Sequence, residues 1–300
     1  MSSIRIIDVS PRDGLQSEHQ ILPAETKVEL IRRLAAAGIS AVEATSFVNP
    51  KRVPQMADAT EVIALLKEQE VPVHAIGLAL NVKGCERAIE AGVNEVGFVL
   101  VSTDTFSQRN QGAPVSRSVE IWHEIHALCR AAGVQCNVLI ASAFGCPFEG
   151  EVPAQRVLDL AEQLLESQPD TIGVADSIGV GVPMQMKNVI QPLSAMVDIP
   201  VRCHLHDTRN TGIANALAAI EAGATRIDAS TGGIGGCPFA PAATGNIATE
   251  DLLYALNRSG IDCGVNIDGI LETASWLADQ LGHDVPSSLL RAGVFPSKVA

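Results

Sequence analysis

The chain has 300 residues, 47% of them hydrophobic, and its 21 basic and 34 acidic residues give a formal net charge of −13. This charge and an aromatic content of 3% disfavour nucleic-acid and anionic-membrane binding, because such surfaces need clustered Lys and Arg, and single strands also need stacking platforms. Since the sequence shows no signal-peptide pattern and no apolar run near about 18 residues, it predicts a soluble, cytoplasmic protein with no membrane partner.

Short β-branched runs alternate with amphipathic helical patterns along the chain. Eight of these runs are predicted as strands, over residues 4–9, 41–47, 73–78, 95–102, 134–141, 171–175, 201–206 and 226–230. The helix predicted over 28–37 is typical of the segments between them, with apolar residues at helical spacing and Gly38 at its end. Eight strand–helix units favour an α/β fold of the (βα)8 TIM-barrel type over an open doubly wound sheet, which usually has fewer strands.

The length fits one domain, with a barrel over residues 1–265 and a C-terminal helical extension over 266–300 packed on the barrel. In such a barrel the active site lies where strands end and the following loops begin. Polar residues at those positions are therefore the candidates for function.

Two histidines lie two residues apart in the seventh predicted strand. Side chains at i and i+2 of a strand project from the same face, so His204 and His206 can reach one metal ion together. A single core histidine can instead have a purely structural role, with its ring hydrogen-bonded to a backbone carbonyl. Two such rings, however, would be costly to bury without a ligand. Asp13, after the first strand, is a natural third ligand. A mixed nitrogen and oxygen set of this kind suits Mg²⁺ or Mn²⁺ and does not exclude Co²⁺ or Zn²⁺.

Other polar residues occupy equivalent strand ends. Arg12 and Gln16 follow the first strand, Glu43 lies within the second, and Asp176 follows the sixth. The residues alone favour catalysis and a buried ion pair about equally for Arg12 and Glu43. For Asp176 they favour a cap on the turn into the next helix.

A glycine-rich loop over residues 231–246 follows the eighth strand. It lacks the GxGxxG spacing, and Cys237 and Pro238 interrupt any immediate helix, which disfavours a dinucleotide-binding turn. We expect a mobile lid whose tip carries Cys237, either as a proton donor or as a small apolar filler.

Eight short motifs, taken together, are far more specific than any one of them. They are PRDGLQ at 11–16, VEATSF at 42–47, VPQM at 53–56, GCPFEG at 145–150, DSIGVG at 176–181, HLHDT at 204–208, GGCPF at 235–239 and GNIATED at 245–251. Through them the chain closely resembles, over nearly its whole length, the 3-hydroxy-3-methylglutaryl-CoA (HMG-CoA) lyases within the metal-dependent lyase and Claisen-condensing barrels.

The resemblance implies retro-Claisen cleavage of HMG-CoA to acetyl-CoA and acetoacetate, as in leucine degradation and ketone-body formation. It also implies an acyl-CoA partner and a divalent cation, Mg²⁺ or Mn²⁺, held by Asp13, His204, His206 and Asn246. We expect a homodimer or larger homo-oligomer.

Catalytic roles are implied in the same way. Arg12 would stabilise the developing enolate oxygen, because a permanent cation there favours the transition state over the ground state. His204, or a carboxylate, would remove the substrate hydroxyl proton, and Cys237 would protonate the enolate carbon. Glu43 and Asp176 would support this polar cluster.

The substrate-binding set is implied to comprise Arg12, Gln16, Asn81 and Arg209, and here the chain departs from the usual family pattern. Arg209 begins an Arg-Asn-Thr run where the lyases usually continue Tyr-Gly-Gln, His19 stands in place of a common Lys, and Leu80 in place of a Pro before Asn81. Arg209 is predicted either to pair with a second acyl carboxylate or a CoA phosphate, or to be a solvated loop residue.

These departures leave the metal and cleavage residues intact and concern the acyl group. A lyase for a related thioester such as citramalyl-CoA is therefore an alternative substrate assignment. A Claisen-type synthase is less consistent with the Cys237 loop, and a non-catalytic metal-binding barrel would need neither Arg12 nor Cys237.

Overall fold

The computed structural model describes residues 4–236 and 245–296. Within them, parallel strands form a closed barrel in chain order, each pairing with the next and the last with the first. The strands are β1 (Arg5–Asp8), β2 (Ala41–Ser46), β3 (His74–Leu78), β4 (Glu95–Val101), β5 (Gln135–Ala141), β6 (Thr171–Asp176), β7 (Val201–Leu205) and β8 (Arg226–Ala229). The predicted (βα)8 barrel is confirmed, and each strand lies within about two residues of its predicted range.

Helices follow the strands and cover the outside of the barrel. They are α1 (Ala24–Ala36), α2 (Ala59–Glu68), α3 (Val82–Ala91), α4 (Asp104–Gln111), α5 (Val115–Ala132), α6 (Ala154–Leu165), α7 (Pro183–Ala195), α8 (Gly212–Glu221), α9 (Thr249–Arg258), α10 (Ile267–Leu281) and α11 (Ser288–Ala292). Helices α3 and α5 end at Gly92 and Gly133, whose φ angles of 80° and 67° are left-handed and therefore favour glycine. None of the described helices is long and apolar enough to cross a membrane.

The apolar core lies between the sheet and the helices, and strand periodicity decides which residues enter it. Val42 and Ala44 belong to this core, whereas Glu43 between them lines the barrel cavity. Trp122 of α5 is fully buried, stacks on Phe98 of β4 with ring centroids 6.0 Å apart, and donates its indole N–H to a backbone carbonyl. Burying one such side chain stabilises the fold by roughly 1.5–3 kcal/mol.

The C-terminal segment packs on the first and last barrel units. Asn266 caps α10, which contacts α1. Within the predicted C-terminal extension, the sequence shows no clear period over residues 287–300, yet the structure contains the short helix α11 there. Ser287 caps this helix by accepting a hydrogen bond from Leu290, and Asp251 of α9 accepts another from the Leu289 N–H. Capping by a distant carboxylate leaves no periodic signal in the local sequence.

Candidate active site

A cavity of about 580 Å³ opens at the carboxyl end of the barrel strands, where the fold places active sites. Seven of the predicted site residues line it: Arg12, Asp13, Gln16, Glu43, Asn81, His204 and His206. Asn246 lies beside it and hydrogen-bonds to Asp13. Cys237, predicted to lie at the tip of the glycine-rich loop, is outside the described residues.

The segment after β1 forms a π-helical turn over Ser10–Gly14, a geometry that is rare and often found at functional sites. Asp8, fully buried, accepts hydrogen bonds from Ser10 and from Thr231 after β8, and so ties the turn to the neighbouring strand. A side chain at Gly14 would approach Ile234 Cγ1 to 2.7 Å, so glycine permits this close packing. The turn brings both Arg12 and Asp13 to the cavity wall.

Asp13, His204 and His206 form the cluster with metal-binding character that the sequence predicts. One ligand atom from each lies within 4.8 Å of the others, with His204 Nε2 3.9 Å and His206 Nε2 3.8 Å from Asp13 Oδ2. Asn246 Nδ2 lies 2.9 Å from the same Asp13 oxygen, while the buried Asn246 Oδ1 has no hydrogen-bond partner among the described residues. A buried amide oxygen without a partner is costly, so this donor set fits a divalent cation.

Asp228 on β8 fixes the ring of His204. Its Oδ2 lies 3.0 Å from His204 Nδ1, and Arg202 Nε donates to its Oδ1 at 2.6 Å. A carboxylate on one ring nitrogen orients the other nitrogen toward a metal and raises its basicity. Asp228 and Arg202 are not among the site residues predicted from the sequence. Arg202 precedes His204 by two residues on the same strand face, a signal that could have identified it.

The charges of the cluster shift the acidity of its members. Burial alone would raise the pKa of Asp13, but the Arg12 guanidinium and the two imidazoles outweigh it and hold this pKa well below its ordinary value. Burial would lower the pKa of His204, but the hydrogen bond and charge of Asp228 outweigh it and raise this pKa. The site therefore favours a charged carboxylate at Asp13.

Arg12 and Glu43 form a buried ion pair, and Arg12 also pairs with Asp13. Glu43 contacts Arg202 as well, at 3.5 Å. The sequence left a catalytic role and a buried ion pair as alternatives for these two residues. Because both residues of the pair line the cavity, the two roles are compatible here. Glu43 holds the guanidinium in place, and the guanidinium faces the space where a substrate would lie.

Three further predicted residues have local structural partners. Asp176, 1% exposed, accepts hydrogen bonds from the backbone of Val180 and Gly181, and so closes the loop before α7 without capping that helix. Asn81 caps α3. Arg209 is exposed and donates to the carbonyls of the β6–α7 loop, and the described cavity lining does not include it or Asp176. Their predicted functional roles remain predictions.

Replacing Asp228 with asparagine is expected to weaken divalent-metal affinity by about 10- to 100-fold, because His204 loses the carboxylate that orients it. Metal titration into metal-free protein measures this. The matched control is Glu95→Gln, which removes another buried barrel carboxylate, one hydrogen-bonded to His74 and Asn137. Equal losses of affinity in both variants would instead indicate general destabilisation of the barrel.

The chain matches the HMGL-like family over residues 3–277. It is 39% identical to the (R)-citramalyl-CoA lyase of Chloroflexus aurantiacus, over 100% of this chain and 98% of that protein. It is 38% identical to the mitochondrial hydroxymethylglutaryl-CoA lyase of Bos taurus, over 96% of this chain and 89% of that protein. A structure of an HMG-CoA lyase from Acinetobacter baumannii in complex with coenzyme A and 3-methylmalate is similar with a TM-score of 0.94 and 37% identity, over 99% of this chain and 97% of that chain.

Proposed function

Since the chain belongs to the HMGL-like family and is a carbon–carbon lyase, we propose that it cleaves HMG-CoA to acetyl-CoA and acetoacetate with a bound divalent cation. The observation that carries this proposal is the position of Arg12, a permanent cation, directly beside the Asp13–His204–His206 cluster in one cavity. Cleavage of a 3-hydroxyacyl thioester needs both features. One site must hold the hydroxyl, and a cation must meet the oxyanion that develops on the thioester.

Citramalyl-CoA is a second candidate substrate, because the chain is 39% identical to a citramalyl-CoA lyase and 38% identical to an HMG-CoA lyase. The two thioesters share a tertiary hydroxyl and a methyl group and differ by one methylene before the distal carboxylate. A single methylene changes transition-state binding by only about 1–3 kcal/mol. Small differences in the cavity wall therefore decide between them.

Asp13, His204, His206 and Asn246 would hold the cation, which would act as a Lewis acid and lower the pKa of the substrate hydroxyl. The hydroxyl proton passes to a base in the same cluster, either His204 or a carboxylate. The C2–C3 bond then breaks, and its electron pair moves into the thioester to form an enolate. The former hydroxyl carbon leaves as the ketone of the released oxo acid.

Arg12 stabilises the enolate oxygen, since its charge acts on an atom that becomes negative only as the bond breaks. Glu43 keeps the guanidinium in position through their ion pair. The enolate carbon then takes a proton from Cys237 to give acetyl-CoA, and the thiolate regains a proton from solvent.

Cys237→Ser is expected to fold normally and to lose kcat by two or more orders of magnitude, because a hydroxyl has a far higher pKa than a thiol and is a poorer proton donor. Steady-state kinetics with matched circular dichroism spectra measure this. Cys263→Ser on the α9–α10 connection is the control and should behave as the wild type. A Cys237→Ser enzyme with near-full kcat would show that Cys237 is only a small apolar packing residue.

A coupled assay over a panel of 3-hydroxyacyl-CoA thioesters, with and without chelator, tests the proposed function. We expect acetyl-CoA release from HMG-CoA, lost with chelator and restored by Mg²⁺ or Mn²⁺. Preferential cleavage of citramalyl-CoA would assign the second substrate. A favoured reverse condensation would indicate a synthase, and metal binding without turnover of any thioester would indicate a non-catalytic barrel.

A further inference from the structure

Three arginines line the active-site cavity, and they differ in what neutralises them. Arg12 pairs with Glu43 and Asp13, and Arg202 pairs with Asp228 and Glu43, so both guanidinium charges are balanced by buried carboxylates. Arg52, in the connection between β2 and α2, also lines the cavity. Its side chain has no hydrogen bond or ion pair with any other described residue.

The three arginines also differ in solvent exposure and in position along the cavity. Arg12 and Arg202 are 8% and 1% exposed and lie beside the metal-type cluster, whereas Arg52 is exposed. The cavity therefore has a buried end, where charges are paired, and a solvent-facing wall that carries an unpaired cation. The backbone under Arg52 is held in place, because its N–H donates to the Asn49 carbonyl at 2.9 Å and Asn49 Oδ1 accepts from Lys51 N.

An acyl-CoA brings two kinds of anion to such a cavity. The acyl carboxylate is adjacent to the reacting carbons and belongs at the buried end, beside Arg12 and the metal-type cluster. The phosphates lie at the far end of the pantetheine arm and stay near solvent. A chain with a net charge of −13 repels these phosphates at long range, so a local cation at the cavity wall is needed to bind them.

We propose that Arg52 binds a phosphate group of the CoA moiety and so makes the enzyme selective for CoA thioesters over shorter pantetheine thioesters. This proposal rests on the acyl-CoA substrate proposed above. A guanidinium suits the role, since its planar donors match phosphate oxygens and remain charged at all physiological pH values.

Arg52→Ala is expected to raise KM for the acyl-CoA roughly three- to tenfold at unchanged kcat, a modest effect because an exposed ion pair is screened by solvent. KM for the same acyl group on pantetheine should not change. Arg52→Lys should recover part of the loss. Lys51→Ala is the matched control, since Lys51 is an adjacent exposed cation that the described cavity lining does not include.

Calorimetric binding of free CoA, dephospho-CoA and pantetheine makes the test independent of turnover. Loss of CoA affinity in Arg52→Ala with pantetheine affinity unchanged supports the proposal, and the dephospho-CoA result tells the 3′-phosphate from the pyrophosphate. If the wild type binds CoA and Arg52→Ala shows this pattern, but the wild type cleaves no thioester, the proposed function fails and the Arg52 assignment stands. Unchanged CoA affinity in Arg52→Ala, equal losses for CoA and pantetheine, or no CoA binding by the wild type would overturn it.

Discussion

Arg12→Gln is expected to lower kcat by about 10³-fold or more while the protein still binds its divalent cation. Removing one neutral donor from an oxyanion site already costs about 10²- to 10³-fold in kcat. Arg12 supplies a full charge in a cavity where it is only 8% exposed, so solvent screens it little. Glutamine keeps a shorter hydrogen-bond donor and removes the charge.

Arg12→Lys is the matched variant, because it keeps the charge and loses the planar fork that contacts Glu43 and Asp13 together. We expect its kcat to lie between the wild type and Arg12→Gln. Metal content and melting temperature separate a catalytic loss from a structural one, since Arg12→Gln leaves Glu43 with Arg202 as its remaining cation. A glutamine variant with kcat within tenfold of the wild type would remove Arg12 from the proposed chemistry.

His206→Ala is expected to abolish both bound metal and activity. The ring of His206 is 3% exposed, its Nε2 faces Asp13 Oδ2 at 3.8 Å, and its Nδ1 has no partner among the described residues. Alanine leaves Asp13, His204 and Asn246 as the proposed ligands, and we expect this smaller set to lose the ion during gel filtration. Elemental analysis after gel filtration measures metal per chain, and the coupled assay measures activity.

His126→Ala serves as the control for His206→Ala, because His126 is a half-buried histidine of α5 that contacts Arg130 and the Gln168 carbonyl and lies outside the described lining of the cavity. It should retain wild-type metal and turnover. Stoichiometric metal in His206→Ala would show that His206 is not a ligand. Metal loss with full activity would show that the cation is not needed for cleavage.

The positions of the strands along the chain and the two-residue spacing of His204 and His206 follow from the sequence alone. They are local properties, because a side-chain period of two is built into strand geometry and glycine ends a helix through its own backbone freedom. The family was predicted from short motifs, each carrying its own turn or strand end, and the match over residues 3–277 confirms it. Roles for individual site residues remain predictions on the same motifs.

Apart from the ligand set implied by the family resemblance, only the tertiary structure decided which side chains meet. Asn246 reaches Asp13 across 233 positions of sequence, and Arg202 reaches Glu43 across 159. Asp228 meets His204 because β7 and β8 are neighbours in the barrel. Such contacts arise when β8 pairs with β1 and closes the ring. No local pattern encodes that closure. The period of each strand selects the residues that face inward, but it does not specify which inward residue of another strand will lie opposite them.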